Sequence, residues 1–191
     1  MARTRKTVIK KKEKKWFKIF SPKIFGENEI GRTPATEGSK VIGRNLKTTL
    51  GLIMNDPTKH RILITLRVNS VKEQNARTHV VYYKLDPAYK KRMIRRNTTL
   101  ITINQVLLTK DDKKIRIQAF LVTSHRVKGK QEKDLRKALM NEVKNFVGET
   151  QYEEILKKCA SKKIQSEMKK KLNKIYPLNH VEIDKIVLMN K

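Results

Sequence analysis

The chain has 191 residues, enough for one or two domains whose core needs no covalent staple. Forty-six Lys and Arg stand against eighteen Asp and Glu, a formal charge of +28, and a surplus of that size repels itself and adheres to polyanions. Cys159 is the single cysteine, which excludes an internal disulfide and a multi-cysteine zinc site, and no apolar run longer than Ala119–Val122 offers a transmembrane helix.

Met1–Lys15 carries Arg3, Arg5, Lys6, Lys10, Lys11, Lys12, Lys14 and Lys15 against one Glu. A like-charge run of this density cannot fold alone, and it lacks the apolar centre of a signal peptide. We read it as an arm that orders on a phosphate backbone. Trp16-Phe17-Lys18-Ile19-Phe20 then anchors the arm to the body, with Trp16 alternatively stacking on an unpaired base.

Ser21–Ser39, with Pro22, Gly26, Gly31, Pro34 and Gly38, reads as loop with at most short strand. Gly26–Thr33 has P-loop spacing, with Arg32 in the lysine position. Two glutamates inside it repel phosphate, and Pro34, Thr36 and Gly38 follow where a helix is required. Arg32 is better suited to a nucleic-acid phosphate. Lys40–Asn55 is expected to be a strand, and Asn55-Asp56-Pro57 a turn. His60–Ser70 alternates cleanly through Ile62, Ile64, Leu66 and Val68, and Arg77–Leu85 is rich in Val and Tyr. With Lys72–Ala76 between them they predict a hairpin.

Asp86-Pro87 starts a short helix, Asp as N-cap and Pro at the first position. Lys90, Lys91, Arg92, Arg95 and Arg96 follow, more cations than a helix dipole calls for, and predict a phosphate-binding knob. Thr99–Leu108 and Ile115–Thr123 predict a hairpin at the centre of a sheet or barrel. The first of these runs is apolar on both parities, the pattern of a strand buried on both faces. Beyond Arg126, Lys128-Gly129-Lys130 is a basic joint. Leu135, Ala138, Leu139, Val143 and Phe146 give a helical stripe that Gly148 ends. Thr150–Glu153 has the pattern of a capping box for a second helix. A third carries Ile164, Met168 and Leu172, and Pro177 stops it. His180–Met189 predicts a last strand that returns to the sheet.

The expected class is α+β: a basic arm and anchor at 1–28, an antiparallel β-barrel-like or sandwich-like domain at 29–127, and a helical region with a terminal strand at 128–191. Candidate chemistry is sparse. His60, His79, His125 and His180 form no metal-ligand pair at helical spacing. Glu182 and Asp184 share one face of a strand, and among so many lysines they are expected to be solvated surface charges. The residues assigned to RNA contact are Trp16, Arg32, Arg44, Lys47, Lys91, Arg92, Arg95, Arg96, Arg126, Lys128 and Lys130, together with the arm. Their mechanism is counterion release, with no cofactor. A structural RNA-binding protein leads; an RNA-processing enzyme and a DNA-binding architectural protein stay open.

Five landmarks fall in a fixed order: Lys14-Lys15-Trp16-Phe17, Ile30-Gly31-Arg32-Thr33, Asn55-Asp56, Arg95-Arg96-Asn97-Thr98 and Ile175-Tyr176-Pro177-Leu178. Over nearly its whole length the chain resembles the archaeal and eukaryotic small-subunit ribosomal protein family called three-Ae, protein "one" of the eukaryotic naming. The resemblance implies a β-barrel-like domain with C-terminal helices, seated on the platform of the small subunit in the cytoplasm. It implies ribosomal RNA and neighbouring platform proteins as partners, with messenger RNA near the exit channel. It implies no catalytic residues, cofactor or membrane. Members often have Lys where Arg32 stands. Eukaryotic members carry a long C-terminal extension, whereas this sequence stops at Lys191, so an archaeal or reduced form is expected.

Overall fold

A computed structural model describes residues 13–189. Arg3, Arg5, Lys6, Lys10, Lys11 and Lys12 of the arm lie outside the described residues.

The period-two pattern of Ile62, Ile64, Leu66 and Val68 produces β4 (Ile62–Lys72), with those four side chains buried. Its partner β5 (Asn75–Leu85) starts two residues earlier than expected. The connection is only Glu73-Gln74, and Glu73 takes the left-handed φ of 54° that a two-residue hairpin requires. β5 is also the junction of the molecule. One edge pairs with β4. The other is shared between β1 (Lys15–Phe20), parallel to it at Asn75–Arg77, and β8 (Leu178–Leu188), antiparallel at Tyr82–Lys84.

The sheet spreads outward from there. β2 (Glu29–Ala35) pairs with β1, and β3 (Asn45–Thr49) pairs with β4. β7 (Lys114–Thr123) pairs with β8, and β6 (Leu100–Leu108) with β7. The result is an eight-stranded, largely antiparallel sheet in an α+β fold. The fork at β5 separates two apolar clusters. The smaller holds Phe17, Ile19, Ala35, Val41, Val68 and Ala76. The larger runs from Leu50, Ile53, Ile62, Ile64 and Leu66 through Val80 and Tyr83 of β5 to β6, β7 and β8 and the helices α3 (Lys130–Glu149), α4 (Tyr152–Ala160) and α5 (Lys163–Leu172). In α3, Leu135, Leu139, Val143 and Val147 recur every four residues and are buried, each contributing roughly 1.5–3 kcal/mol. Cys159 sits fully buried in this core, as expected of a small apolar residue.

Several expectations are corrected. Ser21–Ser39 contains a full strand, β2, despite Gly31 and Pro34. Among the described residues β2 is an edge strand paired only with β1, so the missing N–H of Pro34 need not break the ladder. Lys40–Asn55 is a strand only at β3 and then turns into α1 (Leu50–Met54). Thr49 accepts a hydrogen bond from the Leu52 N–H, and Asn55 closes the helix at φ 51°. Gly51 permits the turn, because a Cβ there would lie 2.8 Å from both the Asp56 carbonyl and the His60 ring.

β6 is not buried on both faces. It pairs with β7 alone among the described residues, and Val106 and Leu108 are exposed. β7, by contrast, is covered on both sides from Ala119 to Thr123. Gly148 lies inside α3, which runs one residue further. The capping box of Thr150–Glu153 does not form: the Thr150 hydroxyl donates back to the Phe146 carbonyl, and Asp111 accepts from the Tyr152 N–H at 3.4 Å.

Candidate nucleic-acid interface

Two segments carry seven of the thirteen predicted contacts that lie among the described residues, and the structure sews them together. The first follows α2 (Pro87–Met93), which Asp86 caps by accepting from the Ala88 N–H at 3.1 Å. After α2 the chain turns tightly. Thr98 Oγ1 donates to the Arg95 carbonyl at 2.7 Å, and Asn97 has φ 61°. Lys91, Arg92, Arg95 and Arg96 are all exposed on this knob. The second segment, the loop between β7 and α3 with the first residue of α3, holds Arg126, Lys128 and Lys130, exposed around buried Val127. Thr99 joins the two. Its N–H donates to Thr123 Oγ1 and its own Oγ1 accepts from the Val127 N–H, each at 2.9 Å. Seven predicted cations therefore stand on one end of the molecule.

A third segment reaches the same place. Asn179 accepts from the Ser124 hydroxyl at 3.1 Å and donates to the Thr123 carbonyl at 3.4 Å. Lys169 Nζ donates to the Asn179 carbonyl at 2.7 Å, which brings α5 and its lysines to this end. Lys169 was not among the predicted contacts, because its partner lies ten residues on in a different element.

His180 registers the local field. Burial lowers its pKa, and Lys169, Lys162 and Arg95 press it down further against the pull of Glu182. His79 is lowered likewise, by burial and then by Arg67 and Lys113. The folded chain thus binds fewer protons at these rings than the unfolded chain. Their contribution to stability is complete above the ordinary histidine pKa of about 6.5 and falls away as pH drops below it. Melting temperature should decline between about pH 7 and pH 5.5, and His180→Gln should reduce the decline. An identical pH profile for the variant would remove His180 from this role. A phosphate chain laid on this end should raise the His180 pKa, which NMR titration would read.

What holds the knob in place is a pair of acids. Glu182 and Asp184 were expected in solvent; they are 6% and 9% exposed. β8 lies between β5 and β7 with α5 packed against it, so both parities are covered over Val181–Asp184. Asp184 binds Lys90 of α2 at 2.6 Å, and the Lys90 ammonium lies 4.8 Å from the centre of the Phe120 ring. Glu182 binds Lys162 at 3.0 Å, and Lys162 also donates to the Tyr89 hydroxyl at 3.1 Å. Burial works to lower the Lys162 pKa, but the hydrogen bonds to Tyr89 and Glu182 outweigh it and hold the amine above its ordinary value. Tyr89 is further flanked by Arg61 and Arg92, at 5.2 and 5.9 Å from its ring centre. Each buried acid is matched by a lysine, and the described residues include no group of three or more potential metal ligands.

Removing one partner would strand a buried charge. Asp184→Ala should cost about 3 kcal/mol or more, and Lys90→Met in the same chain should recover most of it. Additive losses from the two substitutions, in denaturant melts, would show that the pair does not seat α2.

The remaining predicted residues lie elsewhere. Trp16, Arg32 and Arg44 gather at β1 and β2, with Lys18, which was not predicted, beside them. Phe17 and Ile19 do the anchoring, while Trp16 is 61% exposed opposite Pro34. Glu29 binds Arg32 at 2.8 Å and Lys18 at 3.8 Å, and the Arg32 contact leads in lowering its pKa. Arg44 is tied to the Lys40 and Pro34 carbonyls and to Thr33. Lys14 and Lys15 are exposed beside this group. β1 joins β5 at Ala76 and α2 leaves it after Leu85, so the two basic groups sit at opposite ends of β5, about 30 Å apart along the strand. Lys47 stands on the outer face of β3, apart from both. Gly26–Thr33, whose P-loop spacing was discounted from the sequence, runs from a turn into β2 with no helix of phosphate-binding form after it.

Residues 2–191 match the Ribosomal S3Ae family. Small ribosomal subunit protein eS1 of Methanothermobacter thermautotrophicus is 33% identical to this chain, covering 97% of it and 96% of the relative. The protein of the same name from Methanobrevibacter smithii is 34% identical over 94% of this chain and 93% of its own. That of Archaeoglobus fulgidus is 32% identical over 99% and 92%. With the family match running over residues 2–191 and relatives about one-third identical over nearly all of it, the chain belongs to the Ribosomal S3Ae family.

Proposed function

We propose that this protein is a structural component of the small ribosomal subunit in the cytoplasm, and that it binds ribosomal RNA through the phosphate backbone. The observation that carries the reading is the cationic end built from Arg92, Arg95, Arg96, Arg126, Lys128 and Lys130 on a rigid support, in a chain whose relatives are named as small-subunit proteins. Phosphate contacts of this kind fix position without reading base sequence. A folded RNA with a set pattern of phosphates is recognised by shape. Two cationic groups about 30 Å apart suit a ligand that is itself extended and rigid. The role is binding, not catalysis: the buried acids are spent on Lys90 and Lys162, which seat the knob.

The site on the subunit follows from the family resemblance: the platform near the messenger exit, against ribosomal RNA and neighbouring platform proteins. Footprinting of the small-subunit RNA with and without this protein tests it. Protection confined to platform helices supports the placement, and protection elsewhere overturns it.

A further inference from the structure

We propose that the groove beside β3 is a docking site for an extended segment of another protein, apolar along its centre and acidic at its flanks. Among the described residues β3 pairs only with β4, so its second edge is open. The register aligns Lys47 with Thr65 and Tyr82, and Thr49 with Leu63 and Lys84, on one outer face. With Leu52 of α1 these residues border a groove of about 820 Å³. Its floor is apolar: Leu52 is 65% exposed and Leu63 38%. Its rim is cationic, with Lys47 and Lys84 on it and Lys185 over the Tyr82 ring at 5.2 Å, and no Asp or Glu lines it. Exposed leucines next to a bare strand edge are a liability unless something covers them.

Charge and chemistry choose the occupant. A second copy would bring one +28 body against another. Residues 1–12 of this chain carry six cations and no acid, the same sign as the rim. RNA phosphates would satisfy the lysines but supply no aliphatic side chain for Leu52 and Leu63. An added strand uses the free backbone edge, sets alternate apolar side chains on the leucines, and places carboxylates beside Lys47 and Lys84.

Leu52→Cys provides the test, because Cys159 is fully buried and the introduced thiol is then the reactive one. The full chain is labelled with a maleimide twice, once free and once in the native assembly isolated through an affinity tag. Assembly should slow labelling by about tenfold or more. A benzophenone placed on the same thiol should cross-link to a peptide of a different protein, apolar with Asp or Glu at its flanks. Adding Leu63→Glu should restore labelling in the assembly, with the melting curve confirming an intact fold. Equal labelling in both states overturns the proposal, as do protection that survives Leu63→Glu and a cross-link to RNA, to residues 1–12 or to a second copy. None of these outcomes depends on which nucleic acid the protein binds.

Discussion

Ile117→Asp is expected to unfold the protein. Ile117 is fully buried on β7, with Gln105 of β6 and Ile186 of β8 as its neighbours in register. An unpaired carboxylate there costs about 3–5 kcal/mol even after the surroundings relax. The lost aliphatic packing adds roughly 2–5 kcal/mol. Against a total stability of about 5–15 kcal/mol, no folded population of note should survive. The adjacent Arg116 faces outward, so Arg116→Asp should shift stability by only about 0.5 kcal/mol and controls for the charge. Circular dichroism melts decide it: a cooperative transition at the unaltered temperature for Ile117→Asp would mean that β7 faces the other way.

Replacing Arg92, Arg95 and Arg96 together by Ala should weaken binding to small-subunit RNA and flatten its dependence on salt. Each phosphate contact contributes about 0.7–0.9 to the magnitude of the log–log slope, so losing three should reduce it by roughly 2–3. All three side chains are exposed; Arg92 also lies against the Tyr89 ring, and Arg95 also acts on His180. The fold should persist, supported by Lys90–Asp184 and Lys162–Glu182 beneath the knob. A slope unchanged within error would exclude the knob as a contact surface.

These two substitutions also mark what was legible in the sequence. The facing of β7 and of the β4–β5 hairpin follows from alternation, because a half-buried sheet must present one parity inward. The stripe in α3 was equally plain. Edge positions were harder. Pro34 and Gly31 argue against a strand until β1 is known to pair with only one side of β2. The apolar parity of β6 misled for a related reason: Val106 and Leu108 lie on a face that an edge strand leaves open.

The cationic knob was readable from Asp86-Pro87 and the run of basic residues after it. Its union with Arg126, Lys128 and Lys130 also had a signal, since a hairpin that pairs Leu100 with Val122 must bring the flanking loops together. The burial of Glu182 and Asp184 had none. Asp184 meets a lysine ninety-four residues away, and local composition pointed to solvent. The field of Lys169 at His180 likewise exists only once α5 packs on β8.

Sedimentation tests the central claim most directly. Native extract is layered on a sucrose gradient at moderate salt and again at high salt, and the protein is followed across the fractions. If it is a small-subunit protein held by phosphate contacts, it travels with the small subunits in the first gradient and stays at the top in the second. A protein at the top of both gradients, free of ribosomal particles at any salt, would contradict that account.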